Sequence, residues 1–249
     1  MAGHNKWSKV KHIKAVVDAK KGKVFSKSSK ELTLAAKHGG SNPELNARLR
    51  TAILNARAQN MPNDNIERAI KKGAGELEGS TLEEVVYEGY APGGVAMMIE
   101  VVTDNRNRSV NDIRVLFGKN HGTFADPGSV AYMFQRRGEI RLNKETLNED
   151  QAMELTLESG AEDMIDDGDE WCIYTAVDQL FNVSANLQNK GVTATSTKLA
   201  YVPDNTILIS DTDVAKSLLK LYDVLDDYDD TQHVYANFEI ADEVMANLS

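Results

Sequence analysis

The sequence predicts an α+β protein: an N-terminal three-helix bundle plus two ferredoxin-like α/β domains, one inserted in the other. Three observations carry that expectation. Apolar residues recur at helical spacing through the first eighty positions. Beyond residue 81, short strand-like runs alternate with helical ones. The charge also changes sign between the two regions. Residues 1–80 hold 16 Lys/Arg against 7 Asp/Glu, a net of +9, whereas residues 81–249 carry −19 of a total of −10.

The first helix is predicted through Lys37, with Lys23, Lys27, Lys30 and Lys37 on one face and Gly39-Gly40 as its stop. Asn42-Pro43 reads as the next start, Asn42 capping and Pro43 in the first turn. Leu45, Leu49, Ala52, Ile53 and Ala56 then form a buried stripe. After Met61-Pro62-Asn63, a third helix sends Ile66, Ala69 and Ile70 inward and Arg68, Lys71 and Lys72 outward, ending at Gly73. Residues 74–80 read as the link out of the bundle.

The period then changes. Val85 to Tyr87 and Val95 to Val102 are expected as strands around the turn Ala91-Pro92-Gly93-Gly94. A helix with Val110, Ile113, Leu116 and Phe117 follows, then a strand over Val130–Phe134. Thr146 and Glu149 suggest a capping box before a helix ending near Gly160. Strand Trp171–Ala176, a helix from about Asp178 to Gly191 (Leu180, Phe181, Ser184 and Leu187 inward) and strand Val192–Val202 complete a β-α-β-β-α-β order over 139–202, a split βαβ unit. The order over 85–135 lacks one α-β pair, which residues 211–240 supply. They carry a helical stripe at Val214, Leu218, Leu221, Tyr222 and Leu225, and one alternating strand through Val234, Ala236, Phe238 and Ile240. The expected domains are therefore 1–80, a discontinuous 81–135 plus 206–249, and an inserted 136–205.

Composition excludes several classes. Cys172 is the only cysteine, so an internal disulfide and a cysteine-based zinc site are ruled out, and its apolar-leaning neighbours read it as a small buried hydrophobe. No apolar run reaches membrane-spanning length. His4 and His12 lie eight apart among cations, a spacing that matches no metal-ligand set. Ala91-Pro92-Gly93-Gly94 lacks the endings of a phosphate loop. The acidic stretches 162–170 and 226–230 read as solvated loops, so a metal-dependent enzyme built on them is the alternative least supported. No catalytic residue, cofactor, metal or small-molecule substrate is expected.

The basic segment carries the chemistry. Lys6, Lys9, Lys11, Lys14, Lys20, Lys21, Lys23, Lys27 and Lys30 are opposed only by Asp18, with Trp7 and His12 among them. Ammonium groups neutralise phosphates and release counterions, giving affinity that falls with salt, and an indole can stack on an unpaired base. Lysine in place of arginine favours gripping the backbone over reading base edges. Arg68, Lys71 and Lys72 extend this predicted nucleic-acid surface. Arg106 and Arg108, in Thr103-Asp104-Asn105-Arg106-Asn107-Arg108 at a helix start, form a possible secondary anion site. The expected partner is DNA or structured RNA.

Several segments together resemble the YebC/PmpR family. They are Ala2-Gly3-His4-Asn5-Lys6-Trp7, Lys20-Lys21-Gly22-Lys23-Val24-Phe25, Met61 through Gly73, Tyr87 through Gly94, Thr103 through Arg108, Gly128-Ser129-Val130-Ala131-Tyr132 and Val234-Tyr235-Ala236-Asn237-Phe238. The chain departs from the family at Asn5, where Ser is usual, and at Ser28 and Ser29, where apolar residues are usual. The resemblance implies a three-domain protein with one α/β domain nested in the other. It also implies a cytoplasmic role in gene expression, as a DNA-binding transcriptional regulator. The alternative it offers is a translation factor at the ribosome, like the mitochondrial translational activator of cytochrome oxidase subunit I. Because the resemblance begins at residue 2, no transit peptide is expected.

Overall fold

The computed structural model describes residues 17–79 and 81–248, with side chains from residue 22 onward. The protein is α+β, with eight α-helices and ten strands among the described residues. These residues fall into two compact units, one made of 17–79 with 136–200 and the other of 81–135 with 201–248.

In the first unit, α1 (Val17–Gly39), α2 (Ala47–Ala58) and α3 (Asn63–Gly73) bury Leu32, Ala35, Ala36, Leu49, Ala52, Ala56, Ile66 and Ala69 against one another. Small residues let α1 and α3 approach closely. A Cβ on Gly73 would lie 2.2 Å from the Thr33 carbonyl oxygen, so only glycine fits there. The Thr33 hydroxyl donates to the carbonyls of Ser29 and Ala69. Arg48 grips Glu31 through two parallel hydrogen bonds at 2.8 and 3.0 Å, tying α2 to α1.

The start of α2 corrects the sequence expectation. Asn42 makes a turn instead, its carboxamide oxygen accepting from the Glu44 amide, and Leu45 is 85% exposed. The cap is Asn46. Its oxygen accepts from the Leu49 amide while its Nδ2 donates to the carbonyls of Ala35 and Gly40. A buried amide with three partners outweighs the local Asn-Pro signal.

The same unit holds β4 (Phe134–Asn143), α5 (Glu149–Ser159), β5 (Asp163–Asp167), β6 (Glu170–Thr175), α6 (Leu180–Asn189) and β7 (Ser196–Pro203), in the sheet order β5-β6-β4-β7. This is the ferredoxin-like arrangement. Ile140, Leu142, Trp171 and Ile173 face Ala152, Leu180, Val183 and Leu187 of the helices. The capping box ahead of α5 is formed by Asn148 and Gln151, while Thr146 donates to the Asn143 carbonyl. Bundle and sheet meet at Asn55 of α2. Its carboxamide donates to the Thr197 carbonyl (2.7 Å) and accepts from the Thr197 amide (3.1 Å), so it pairs with the edge strand β7 much as a neighbouring strand would.

In the second unit, β1 (Glu83–Ala91) and β2 (Val95–Thr103) form an antiparallel hairpin, and β3 (Thr123–Ala125) and β9 (Thr231–Ala236) complete the sheet β3-β1-β2-β9. Helices α4 (Arg106–Lys119) and α7 (Thr212–Asp226) cover it with Ile113, Phe117, Leu218, Leu221 and Leu225. Gly89 lets Phe117 pack directly on β1, since a Cβ there would lie 2.5 Å from its ring.

Two expected strands are revised. Val130–Phe134 is not one strand. Ala131–Met133 is a 3₁₀ turn, because the buried Glu88 carboxylate takes the amides of Gly128, Val130 and Ala131 at 2.7, 2.7 and 3.0 Å. Val234–Ile240 is two strands. After β9, Asn237 accepts from the Ala96 amide through its side chain at 2.7 Å, and β10 (Phe238–Ile240) pairs in parallel with β8 (Ile207–Ile209) instead. The short helix α8 (Asp242–Leu248) ends the described chain.

Candidate nucleic-acid interface

The basic residues of the bundle are placed by its helices. Lys20, Lys21, Lys23, Lys27 and Lys30 all lie on α1. Positions 20, 23, 27 and 30 recur at three and four residues, which sets them on one helical face. Lys23, Lys27 and Lys30 are half-buried. Lys6, Trp7, Lys9, Lys11, His12 and Lys14 lie outside the described residues.

On α3, Arg68 and Lys71 are exposed and Lys72 is half-buried, opposite the inward Ile66 and Ala69. Lys37 and His38 close α1, as Lys71 and Lys72 close α3. The Thr33–Gly73 approach sets the last turn of α3 against α1. Both ends place cations where the helix dipole is negative, so the same charges stabilise the bundle and concentrate positive potential.

Helix α2 adds two arginines that the sequence reading did not select. Arg50 and Arg57 stand seven residues apart on the face that also carries Ile53 and Leu54. Their seven-residue spacing is legible in the sequence, but the buried stripe on the same helix is the stronger signal.

The turn at Arg106 and Arg108 is built differently. Asn105 caps α4 by accepting from the Arg108 amide at 3.0 Å. The Arg108 guanidinium donates to Asp230 at 2.8 Å and Asp104 at 2.9 Å, and these hydrogen bonds, Asp230 first, raise its pKa. Tyr228 links the same Asp230 to Asp112. Arg106 is exposed. An anion arriving here would meet Arg106 and compete with Asp230 for Arg108.

The acidic stretches 162–170 and 226–230 are not solvated loops throughout, since Asp163–Asp167 is strand β5 and Asp167 and Asp230 are buried and paired with arginines. Arg141 donates to Glu139, Asp167 and Glu170 on the sheet face opposite α5 and α6. Cys172 lies buried beside them, and burial, reinforced by Glu139, pushes its thiol up to about 12. At neutral pH it is a protonated, inaccessible group with no nucleophilic character. Among the described residues no three His, Cys, Asp or Glu side chains come together as a metal site, and no helix is long and apolar enough to cross a membrane.

Comparison with known proteins agrees along the whole chain. Residues 5–76 match the family model for the TACO1/YebC protein N-terminal domain, and residues 82–238 match the TACO1/YebC second and third domain. A protein of Akkermansia muciniphila named "Probable transcriptional regulatory protein" is 53% identical over the full length of both chains. A protein of the same name from Syntrophobacter fumaroxidans is 46% identical, again over all of both. The crystal structure of a conserved hypothetical protein from Aquifex aeolicus superposes with a TM-score of 0.88 at 46% identity, covering 93% of this chain and 96% of that one.

Proposed function

The chain belongs to the TACO1/YebC family, and on that premise we propose that it is a DNA-binding regulator of transcription that acts in the cytoplasm by occupying its site, without catalysis. One observation supports this reading above the others. Positive charge is concentrated in the first eighty residues and placed on helical faces, while the remaining chain is strongly negative. Helices that present lysines to phosphates bind polyanions without reading their sequence. The acidic remainder keeps the protein soluble and directs the polyanion to the bundle. Arg106 stands as a secondary contact.

A second reading is favoured by the lysine bias of α1. That helix has six lysines and no arginine among its described positions, and so presents point charges in place of the rigid planar fork of a guanidinium. A shape-recognised structured RNA, as on a ribosome, fits such a surface equally well. Titrating the intact protein with a 30-base-pair duplex and with an RNA hairpin between 50 and 200 mM salt tests both. Affinity should fall steeply with salt, and Lys23→Gln, Lys27→Gln and Lys30→Gln should each shallow the logarithmic slope by about one unit. Tighter binding of the duplex supports transcription, and tighter binding of the hairpin supports the ribosomal reading. An unchanged slope in the triple variant would remove α1 from the interface.

A further inference from the structure

We infer that the face of α2 carrying Arg50, Ile53, Leu54 and Arg57 is a pocket for one unpaired nucleobase of a single strand, with a flanking phosphate held by the arginines. The inference rests on the nucleic-acid reading above and deepens it, since a lysine-studded helix explains backbone binding but supplies nothing that could hold a base.

The pocket is built at the bend between α1 and α2. An open depression of about 250 Å³ is lined by Pro43, Glu44, Arg50, Ile53, Leu54 and Arg57. That volume lies just below the roughly 300 Å³ at which sites for drug-sized ligands begin, so its scale is that of a single ring system. Pro43, Ile53 and Leu54 make its lining predominantly apolar. Leu54 is 36% exposed there, although it sits on a helix whose opposite face is fully buried. Apolar surface left in water between two cations calls for a ligand that is flat and apolar in one part and anionic in another.

The charges narrow the choice. Arg50 is fixed in place, because its Nη1 donates to the Pro43 carbonyl at 3.0 Å and the Glu44 carbonyl at 3.3 Å. A guanidinium has five N–H groups, so three remain for other acceptors. A held guanidinium can stack on a base and donate to a phosphate with little further loss of freedom. Arg57 stands two turns further along the same face, roughly 10 Å away, and is exposed. Glu44 at the rim discriminates between ligands. Its carboxylate accepts from the exocyclic amino group of adenine, cytosine or guanine, a donor that the acidic side chains of a peptide lack. A base supplies the flat apolar face and the amino donor, and its phosphate supplies the anion that the arginines take.

The test uses the full-length protein and three probes: twelve-residue oligoadenylates of DNA and of RNA, and a twelve-residue abasic DNA strand with the same phosphates. The wild-type protein should bind at least one adenylate about tenfold more tightly than the abasic strand, the scale of one stacked base. Whichever adenylate binds better identifies the strand type. Leu54→Ser should abolish that preference while leaving the abasic affinity and its salt dependence unchanged. Arg57→Gln should weaken all three probes together. An adenylate strand carrying 8-azidoadenosine, irradiated on the wild-type protein, should crosslink to the peptide spanning residues 43–57, which keeps the proposal falsifiable if the serine variant fails to fold.

Equal binding of adenylate and abasic strands would overturn the pocket while leaving the nucleic-acid reading intact. Crosslinks confined to other peptides would do the same. Binding of none of the three would instead overturn that reading itself. An amphipathic Glu/Leu peptide that binds the wild type and loses affinity with Leu54→Ser, with no adenylate preference, would assign the pocket to a protein partner and refute the inference.

Discussion

Single side chains settle geometry here that no local pattern could. Glu88 is the clearest case. It is buried on β1, yet its two oxygens accept three amides from residues 128–131 and so hold the loop that displays Tyr132, 71% exposed. The Tyr90 hydroxyl adds a bond to the Ser129 carbonyl of the same loop. A charged acceptor for three amides in a dry site is strongly stabilising, and its removal leaves those donors without a partner. Glu88→Ala should therefore destabilise the protein by on the order of 3 kcal/mol. At about 2–4 °C per kcal/mol for a chain of this length, the midpoint of thermal unfolding should fall by about 6–12 °C. Glu88→Gln, which keeps an acceptor oxygen, should cost less. A Glu88→Ala variant that melts with the wild type would mean the loop is held by something other than this carboxylate.

At the scale of elements, what was legible in the sequence follows the range of the forces. Leu49, Ala52 and Ala56 on α2, and Leu218, Leu221 and Leu225 on α7, were readable because helical burial repeats every three to four residues. The β-α-β-β-α-β order from β4 to β7 is legible only in part, because β5 (Asp163–Asp167) lies in an acidic stretch that reads as a solvated loop and is held as a strand by its pairing with β6. The failures share a cause. The strand expected at Val130–Phe134 gives way to a carboxylate 42 residues away. The strand expected through Ile240 is broken at Asn237 by a bond to Ala96, 141 residues distant. The cap of α2 moves from Asn42 to Asn46 because Asn46 alone reaches the Ala35 carbonyl on α1. The site divides in the same way. The lysine face of α1 is visible from spacing, but Arg108 meets Asp230 across 122 residues. The α2 site depends on the bend that brings Pro43 and Glu44 beside Ile53 and Leu54, a placement no local pattern encodes.

At the scale of the whole molecule, the division we propose is 1–80, 81–135 with 206–249, and an inserted 136–205. The sheet β3-β1-β2-β9 joins strands on both sides of the inserted segment, and Asn237 and Ala96 hydrogen-bond across the same gap. A chain lacking 139–202, with the ends bridged, should keep a cooperative melt for the discontinuous domain. A chain ending at residue 205 should lose that melt, because α7 and β9 bury Leu218, Leu221, Leu225 and Val234 in its core. An undiminished transition in the shortened chain would contradict the nesting.

The central claim is that the basic helical region is where this regulator holds nucleic acid. Ultraviolet crosslinking in living cells, followed by identification of both the attached nucleic acid and the crosslinked peptides, tests it most directly. The same experiment is run on the full-length variant with Lys23, Lys27, Lys30, Lys71 and Lys72 changed to Gln. The wild-type protein should carry nucleic acid, with crosslinked peptides within residues 1–80, and capture should fall at least tenfold in the variant. Crosslinks lying in residues 81–249, with capture unchanged by the five substitutions, would contradict it.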